Sequence, residues 1–148
     1  MKIKQVKLKK ERFMDLLYLG DEDEDMINKY LKKSDMFVCY EENELIGQIT
    51  ILRLANKIYE IKNISIYEQF QKKGYGSKLI KFIFEHYKNK ASVIILGTGE
   101  CDKIISFYEN LGFKYFMRKR NFFIDNYDHE MYEDGTKLID MLYFKKVI

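Results

Sequence analysis

Gln71-Lys72-Lys73-Gly74-Tyr75-Gly76 is the stretch that decides the fold. It lies between an apolar, strand-like run, Ile58 to Ile66, and an amphipathic helical run, Tyr75 to Lys88. In the second run Ile80, Ile83, Phe84 and Tyr87 recur at i, i+3, i+4 and i+7, while Lys78, Lys81, Glu85 and Lys88 occupy the other face. A strand feeding a glycine turn and then a helix presents unpaired backbone N–H groups at the helix start. Such an end binds anions and suits a pyrophosphate. Gly74 and Gly76 let the main chain take positive φ and let phosphate oxygens approach without meeting a Cβ. The pattern points to a phosphate-bearing cofactor. Its spacing is neither the Gly-x-x-x-x-Gly-Lys-Ser/Thr of nucleoside triphosphatases nor the Gly-x-Gly-x-x-Gly of dinucleotide enzymes. The competing reading is a strand-to-helix turn whose glycines only shape the bend.

Working outward, Ala91 to Leu96 is a continuous apolar run, typical of a strand covered on both faces. The order strand, helix, strand from Ile58 to Leu96 predicts a parallel pair joined by a right-handed crossover. Upstream, Lys2 to Leu8 alternates as a first strand, and Glu11 to Leu19 and Asp25 to Lys32 carry helical spacing. Met36 to Tyr40 and Leu45 to Leu54 read as a hairpin around the polar turn Glu41 to Glu44. Downstream, a helix from Asp102 to Leu111 is ended by Gly112. Two strand-like stretches, Phe113 to Ile124 and Lys137 to Val147, then flank a polar loop from Asp125 to Gly135. The class is α/β, a mixed sheet of about seven strands with helices on its faces.

Composition narrows the setting. The 148 residues suit one domain, 1–148, and they contain no proline, repeat or Gly/Ser-rich linker to mark a boundary. No apolar run reaches about eighteen residues, so no membrane span is expected, and the basic start leads into alternating residues rather than a signal peptide. Cys39 and Cys101 form neither a metal-ligand spacing nor a disulfide framework, which favours a reducing, cytoplasmic location with Cys39 as a small core hydrophobe. Net charge is +3, from 26 basic and 23 acidic side chains, a mixed surface rather than a polyanion-binding one. Asp21 to Asp25 is read first as a helix N-terminus, with a negative rim that attracts a cationic amine as the sharper reading.

Two separated motifs give a family resemblance. Gln71-x-x-Gly74-x-Gly76 resembles the acyl-coenzyme A loop of GNAT-superfamily N-acetyltransferases. Phe107-Tyr108-Glu109-Asn110-Leu111-Gly112-Phe113 resembles the later Tyr-x-x-x-Gly-Phe helix end of the same family. The order of elements agrees over nearly all of the chain. The resemblance implies acetyl-CoA as acyl donor and an amine acceptor, either a small molecule or a peptide. It also implies a cofactor-binding strand splayed from the next parallel strand. Main-chain groups of Ile64, Ser65 and Ile66 would bond the pantetheine arm by β-augmentation, and backbone N–H groups of this strand would polarise the thioester carbonyl. Gln71, Lys72, Lys73, Gly74, Tyr75, Gly76 and Ser77 would cradle the pyrophosphate.

An amine is inert while protonated, so something must remove its proton. Glu60, in the strand before the loop, stands where many relatives keep a carboxylate for that role, and acts directly or through water. A cross-strand-paired or solvated glutamate is the competing reading. Tyr108 matches the family's general acid for the departing thiolate, and shares the apolar helix side with Ile104, Ile105 and Leu111, as a core tyrosine would. Departures are present too. Tyr67 to Phe70 lacks the proline common before the loop, and Gly99 to Asp102 lacks the asparagine that binds the cofactor arm in many relatives. His86 and His129 read as surface or core residues, and the loop from Tyr127 to Gly135 as a border of the acceptor pocket. Rival functions are a non-catalytic acyl-CoA sensor of the same fold and, from Lys114 to Arg120 with its aromatics, a nucleic-acid-binding domain. The modest charge argues against the second. Homodimers are common in the family.

Overall fold

Left-handed backbone at Glu42 (φ 50°) and Asn43 (φ 69°) closes the expected first hairpin, and Lys57 (φ 63°) closes the second. The computed structural model describes residues 1–148, and its contacts divide them into two units, Met1–Ser92 and Val93–Ile148. No helix is long and apolar enough to cross a membrane.

In the first unit the strands are β1 (Lys2–Val6), β2 (Asp35–Glu41), β3 (Glu44–Ala55) and β4 (Ile58–Ile66). They lie side by side in that order, every pair antiparallel. Helices α1 (Met14–Gly20) and α2 (Glu24–Asn28) fall between β1 and β2, and α3 (Tyr75–Tyr87) follows β4. The helix expected from Glu11 begins as a tight 3-10 turn over Lys10–Phe13, and that expected from Asp25 stops at Asn28. Side chains explain the early stop. Ser34 Oγ donates to the Tyr30 carbonyl at 2.7 Å, and Lys10 Nζ reaches the carbonyls of Leu31, Lys32 and Ser34. Those acceptors therefore need no further helical turn. The acidic block takes the helix-start role, since Asp23 Oδ1 accepts from the N–H groups of Asp25 and Met26.

The two faces of this sheet differ in chemistry. One face packs α3: the Phe37 ring lies edge-on to Phe82 and Tyr87, and Leu79, Ile80 and Ile83 are fully buried. The other face packs α1 through polar groups. Asn63 Nδ2 donates to the Leu17 carbonyl at 2.9 Å and to the Tyr30 hydroxyl at 3.0 Å. Gln48 Nε2 donates to Asn63 Oδ1 and Ser65 Oγ, Thr50 donates to Gln48, and Ser65 Oγ donates to the Leu16 carbonyl. Strand side chains thus bond the Leu16 and Leu17 carbonyls of α1, the latter also accepting from the Asp21 N–H, which fixes the helix on the sheet.

In the second unit β5 (Val93–Gly99), α4 (Asp102–Asn110), β6 (Lys114–Lys119), α5 (Phe122–Asn126), β7 (Tyr132–Glu133), β8 (Thr136–Lys137) and β9 (Met141–Val147) follow in sequence. β9 lies antiparallel between β5 and β6, and β7 pairs with β8. Gly112, at φ 95°, ends α4 as its position predicts. The strand expected over Phe113 to Ile124 is overturned in its second half. Asp140 accepts from Arg118 Nη1 at 2.7 Å and from the Asn121 N–H at 2.8 Å. Asn121 takes φ 57°, and the chain winds into α5. Phe123 then packs with Met131 and Leu138 instead of alternating along a strand. The strand expected from Lys137 is broken likewise into β8 and β9.

Asn63→Leu keeps the volume and strips every bond of the amide, leaving Gln48, Leu17 and Tyr30 each short of one partner. We expect a loss of about 3 kcal/mol in unfolding free energy, read as a lower urea midpoint at unchanged slope.

Candidate functional site

In regular alternation Tyr59, Ile61, Asn63 and Ser65 would share one face of β4 and Glu60 would lie on the other. The pairing shows otherwise. Asn63 is opposite Thr50, yet the next pair is Ile61 with Ile51, so Lys62 is an extra residue and the strand bulges there. Counted through the bulge, Glu60 stands opposite Leu52 and joins Asn63 and Ser65 on the face that carries α1. Leu52 packs against the apolar cluster of that face, with Leu16, Leu17, Ile27 and Tyr30.

The bulge also sets the charges. Glu60 is 8% exposed, and its Oε2 lies 3.3 Å from Lys62 Nζ. The same ammonium sits over the Tyr30 ring, 5.5 Å from its centroid. Burial pushes the Tyr30 hydroxyl well above its usual range. The bond from Asn63 works against this shift, and the carboxylates of Asp21 and Glu60 add to it. The carboxylate is thus held at the edge of a buried polar cluster with one cation beside it. The partner of Glu60 is therefore its neighbour on the same strand rather than a residue across the sheet.

The glycine turn is built as expected in outline and differs in detail. Gln71 Nε2 donates to the Ile66 carbonyl at 2.9 Å, tying the turn to the end of β4. Left-handed backbone falls on Lys72 (φ 62°) and Gly74 (φ 88°); Gly76 lies in the first turn of α3 without positive φ. A Cβ at Gly74 would meet nothing within 4 Å, so the glycine answers to the backbone angle and not to crowding. No side chain caps α3, whose first residues are Tyr75, Gly76 and Ser77. Lys72 is exposed, and Lys73 is exposed with its Nζ 5.9 Å from the centroid of the Phe70 ring. Ile64, Ser65 and Ile66 occupy the end of β4, and the Ser65 hydroxyl is turned inward to the Leu16 carbonyl.

Tyr108 belongs to the second unit. It is 9% exposed, between Phe107 and the Phe113 ring at centroid distances of 5.1 and 5.9 Å. Burial, aided by the charge of Glu133, pushes its hydroxyl up to about 12. His86 stacks on Phe82, and His129 is exposed and pairs with Asp128 at 2.7 Å. Cys39 is fully buried, and burial pushes its thiol up to about 11. Sequence reasoning missed Gln48, Thr50, Asn63, Tyr30 and Lys62. A signal existed in Gln48-x-Thr50 and Asn63-x-Ser65, polar residues alternating with isoleucines, but alternation alone reads as a solvated face.

These features place the chain among known proteins. The sequence pattern of the family described as Acetyltransferase (GNAT) domain matches residues 32–115. The chain is 31% identical over 134 residues to the uncharacterized N-acetyltransferase YvbK of Bacillus subtilis strain 168, covering 89% of this chain and 86% of that protein. It is similar in structure to a GNAT family acetyltransferase from Elizabethkingia anophelis with acetyl-CoA bound (TM-score 0.94, 30% identity, 99% and 97% of the two chains). It is also similar to a Bacillus subtilis acetyltransferase in complex with CoA (TM-score 0.90, 29% identity, 99% and 98%). The class is that of acyl-CoA-dependent acyltransferases with a mixed α/β fold. The chain belongs to the GNAT acetyltransferase family.

Two outcomes follow from the geometry. Gly74→Ala should cost about 1 kcal/mol of stability through its φ alone, measurable by thermal melting. The tyrosinate absorbance lost in Tyr108→Phe should appear near pH 12 rather than near 10. Because the folded value is raised, the stability carried by the neutral hydroxyl is intact below pH 10 and fades as pH rises through 12.

Proposed function

We propose that the protein transfers the acetyl group of acetyl-CoA to a primary amine, with Glu60 as general base and Tyr108 as general acid. The observation that carries this reading is the bulge at Lys62, which delivers the Glu60 carboxylate to the polar α1 face. Glu60 takes the proton of the acceptor ammonium, directly or through a water. The freed nitrogen attacks the thioester carbonyl carbon, the C–S bond breaks, the departing thiolate takes the Tyr108 proton, and the second proton of the acylated nitrogen restores the Tyr108 hydroxyl by way of solvent. Burial keeps that hydroxyl protonated at every physiological pH, so a proton donor is always present.

The start of α3 supplies the anchor for the cofactor. Gln71 to Ser77 form an uncapped helix entry with two exposed lysines, a suitable cradle for a pyrophosphate. Main-chain groups of Ile64, Ser65 and Ile66 would pair with the pantetheine arm and polarise the carbonyl to be attacked. Two similar structures hold acetyl-CoA or CoA, which supports acetyl-CoA as the acyl donor. The family match spans the boundary after Ser92, which favours a single functional domain over 1–148. Free, buried Cys39 and Cys101 favour a reducing, cytoplasmic setting. A homodimer fits the habits of the family.

Glu60→Gln should lower kcat at neutral pH on the order of 100-fold, and Tyr108→Phe on the order of 10- to 100-fold. CoA affinity by calorimetry should stay within about twofold for both variants, because neither side chain is assigned to the cofactor. Unchanged turnover in both would remove the two catalytic roles. Tight CoA binding by the native chain without transfer to any amine would mark a non-catalytic acyl-CoA-binding module.

A further inference from the structure

We propose that the acceptor is a free amino acid or a close 2-aminocarboxylate, whose carboxylate is received by Lys62 while its ammonium faces Glu60. The inference rests on the reading of Glu60 as the base and adds the class of molecule that the base serves.

The bulge at Lys62 turns Glu60 to the α1 face. It places two opposite charges on one strand, on one face, with 3.3 Å between Glu60 Oε2 and Lys62 Nζ. Covalent geometry holds the nitrogen and a carboxylate oxygen of an amino acid at about the same spacing, roughly 3 Å. A zwitterion laid against the pair in reverse order meets an opposite charge at each end. It exchanges one internal ion pair for two charge-assisted contacts. Glu60 then takes the ammonium proton, and Lys62 keeps its own, so the charge left on the acceptor is still neutralised during attack.

The surroundings favour this occupant over a simple cation. The side chain of Lys62 is only 27% exposed, whereas a lysine normally holds its ammonium in water. Its ammonium is fixed between the Glu60 carboxylate and the face of the Tyr30 ring. A polyamine or aminoglycoside nitrogen approaching Glu60 would meet that fixed charge with nothing to offset the repulsion. A peptide N-terminus or a protein lysine would likewise bring no carboxylate at the right spacing.

The test uses thiol release from acetyl-CoA with the full-length chain. The common free amino acids are compared with their methyl esters, which keep shape and amine but lose the negative charge, and with spermidine. The preferred amino acid should exceed its ester in kcat/KM by about 10- to 100-fold. Lys62→Met should erase that margin by raising KM for the free amino acids far more than for their esters, with the melting temperature reporting an intact fold. Lys62→Arg should restore it. Esters or spermidine acetylated as well as the free acids would overturn the proposal, as would no transfer to any free amino acid. So would a fall in kcat on every acceptor alike in Lys62→Met, which would make Lys62 a positioning residue for Glu60. Failure of the underlying reading looks different, since Glu60→Gln would then retain full turnover on whichever acceptor is best.

Discussion

The side-chain amide of Asn63 is the interaction on which the first unit depends. It lies in a dry interior, where an unpaired amide is costly, and it meets that demand by binding three elements at once. The Leu17 carbonyl belongs to α1, the Tyr30 hydroxyl to the segment after α2, and the Gln48 amide to β3. Space around it is fully committed. A Cβ added at Gly20 would fall 1.9 Å from Asn63 Oδ1, so the last residue of α1 has to be glycine for steric reasons. Helices α1 and α2 are short, and little in their own propensity would hold them in place. The polar anchors of β3 and β4 do so, while the isoleucines on the opposite face pack α3.

The role proposed for Glu60 grows out of an irregularity in this same strand. One extra residue at Lys62 turns Glu60 from the α3 face to the α1 face and draws Lys62 alongside it. Without the bulge, the carboxylate would face the α3 side of the sheet, away from Asn63 and Ser65. The strand therefore combines a rigid half, Asn63 to Ile66, locked by side-chain hydrogen bonds, with a bent half that brings Glu60 and Lys62 together. Bulges commonly re-aim a side chain in this way. The glycine turn follows directly after the rigid half and is tied to it by Gln71, so helix α3 starts at a defined place.

Much of this architecture was legible in the residues. The apolar run Ile58 to Ile66 and the period of Tyr75 to Tyr87 gave a strand and a helix with nearly correct ends, because each is long and its pattern unbroken. The family followed from two spaced motifs, each set by local backbone demands. Reading failed where distant atoms decide. Phe122 to Ile124 have strand propensity, yet Asp140 captures Arg118 and the Asn121 N–H and turns the chain into α5. Gly76 was read as a second left-handed glycine, but the helix has already begun there and Lys72 takes the angle instead.

By itself the sequence determined the α/β class, the glycine-turn entry to α3 and the kinship with the GNAT acetyltransferases. These depend on periodicity, glycine conformation and short-range spacing, all of which act within a few residues. Only the tertiary structure decided that the polar face of β3 and β4 is buried and that Lys62 is the bulged residue beside Glu60. A bulge is a difference in register between two strands, and it exists only once the partner strand is in place. The face on which the Glu60–Lys62 pair stands is therefore a property of the assembled sheet.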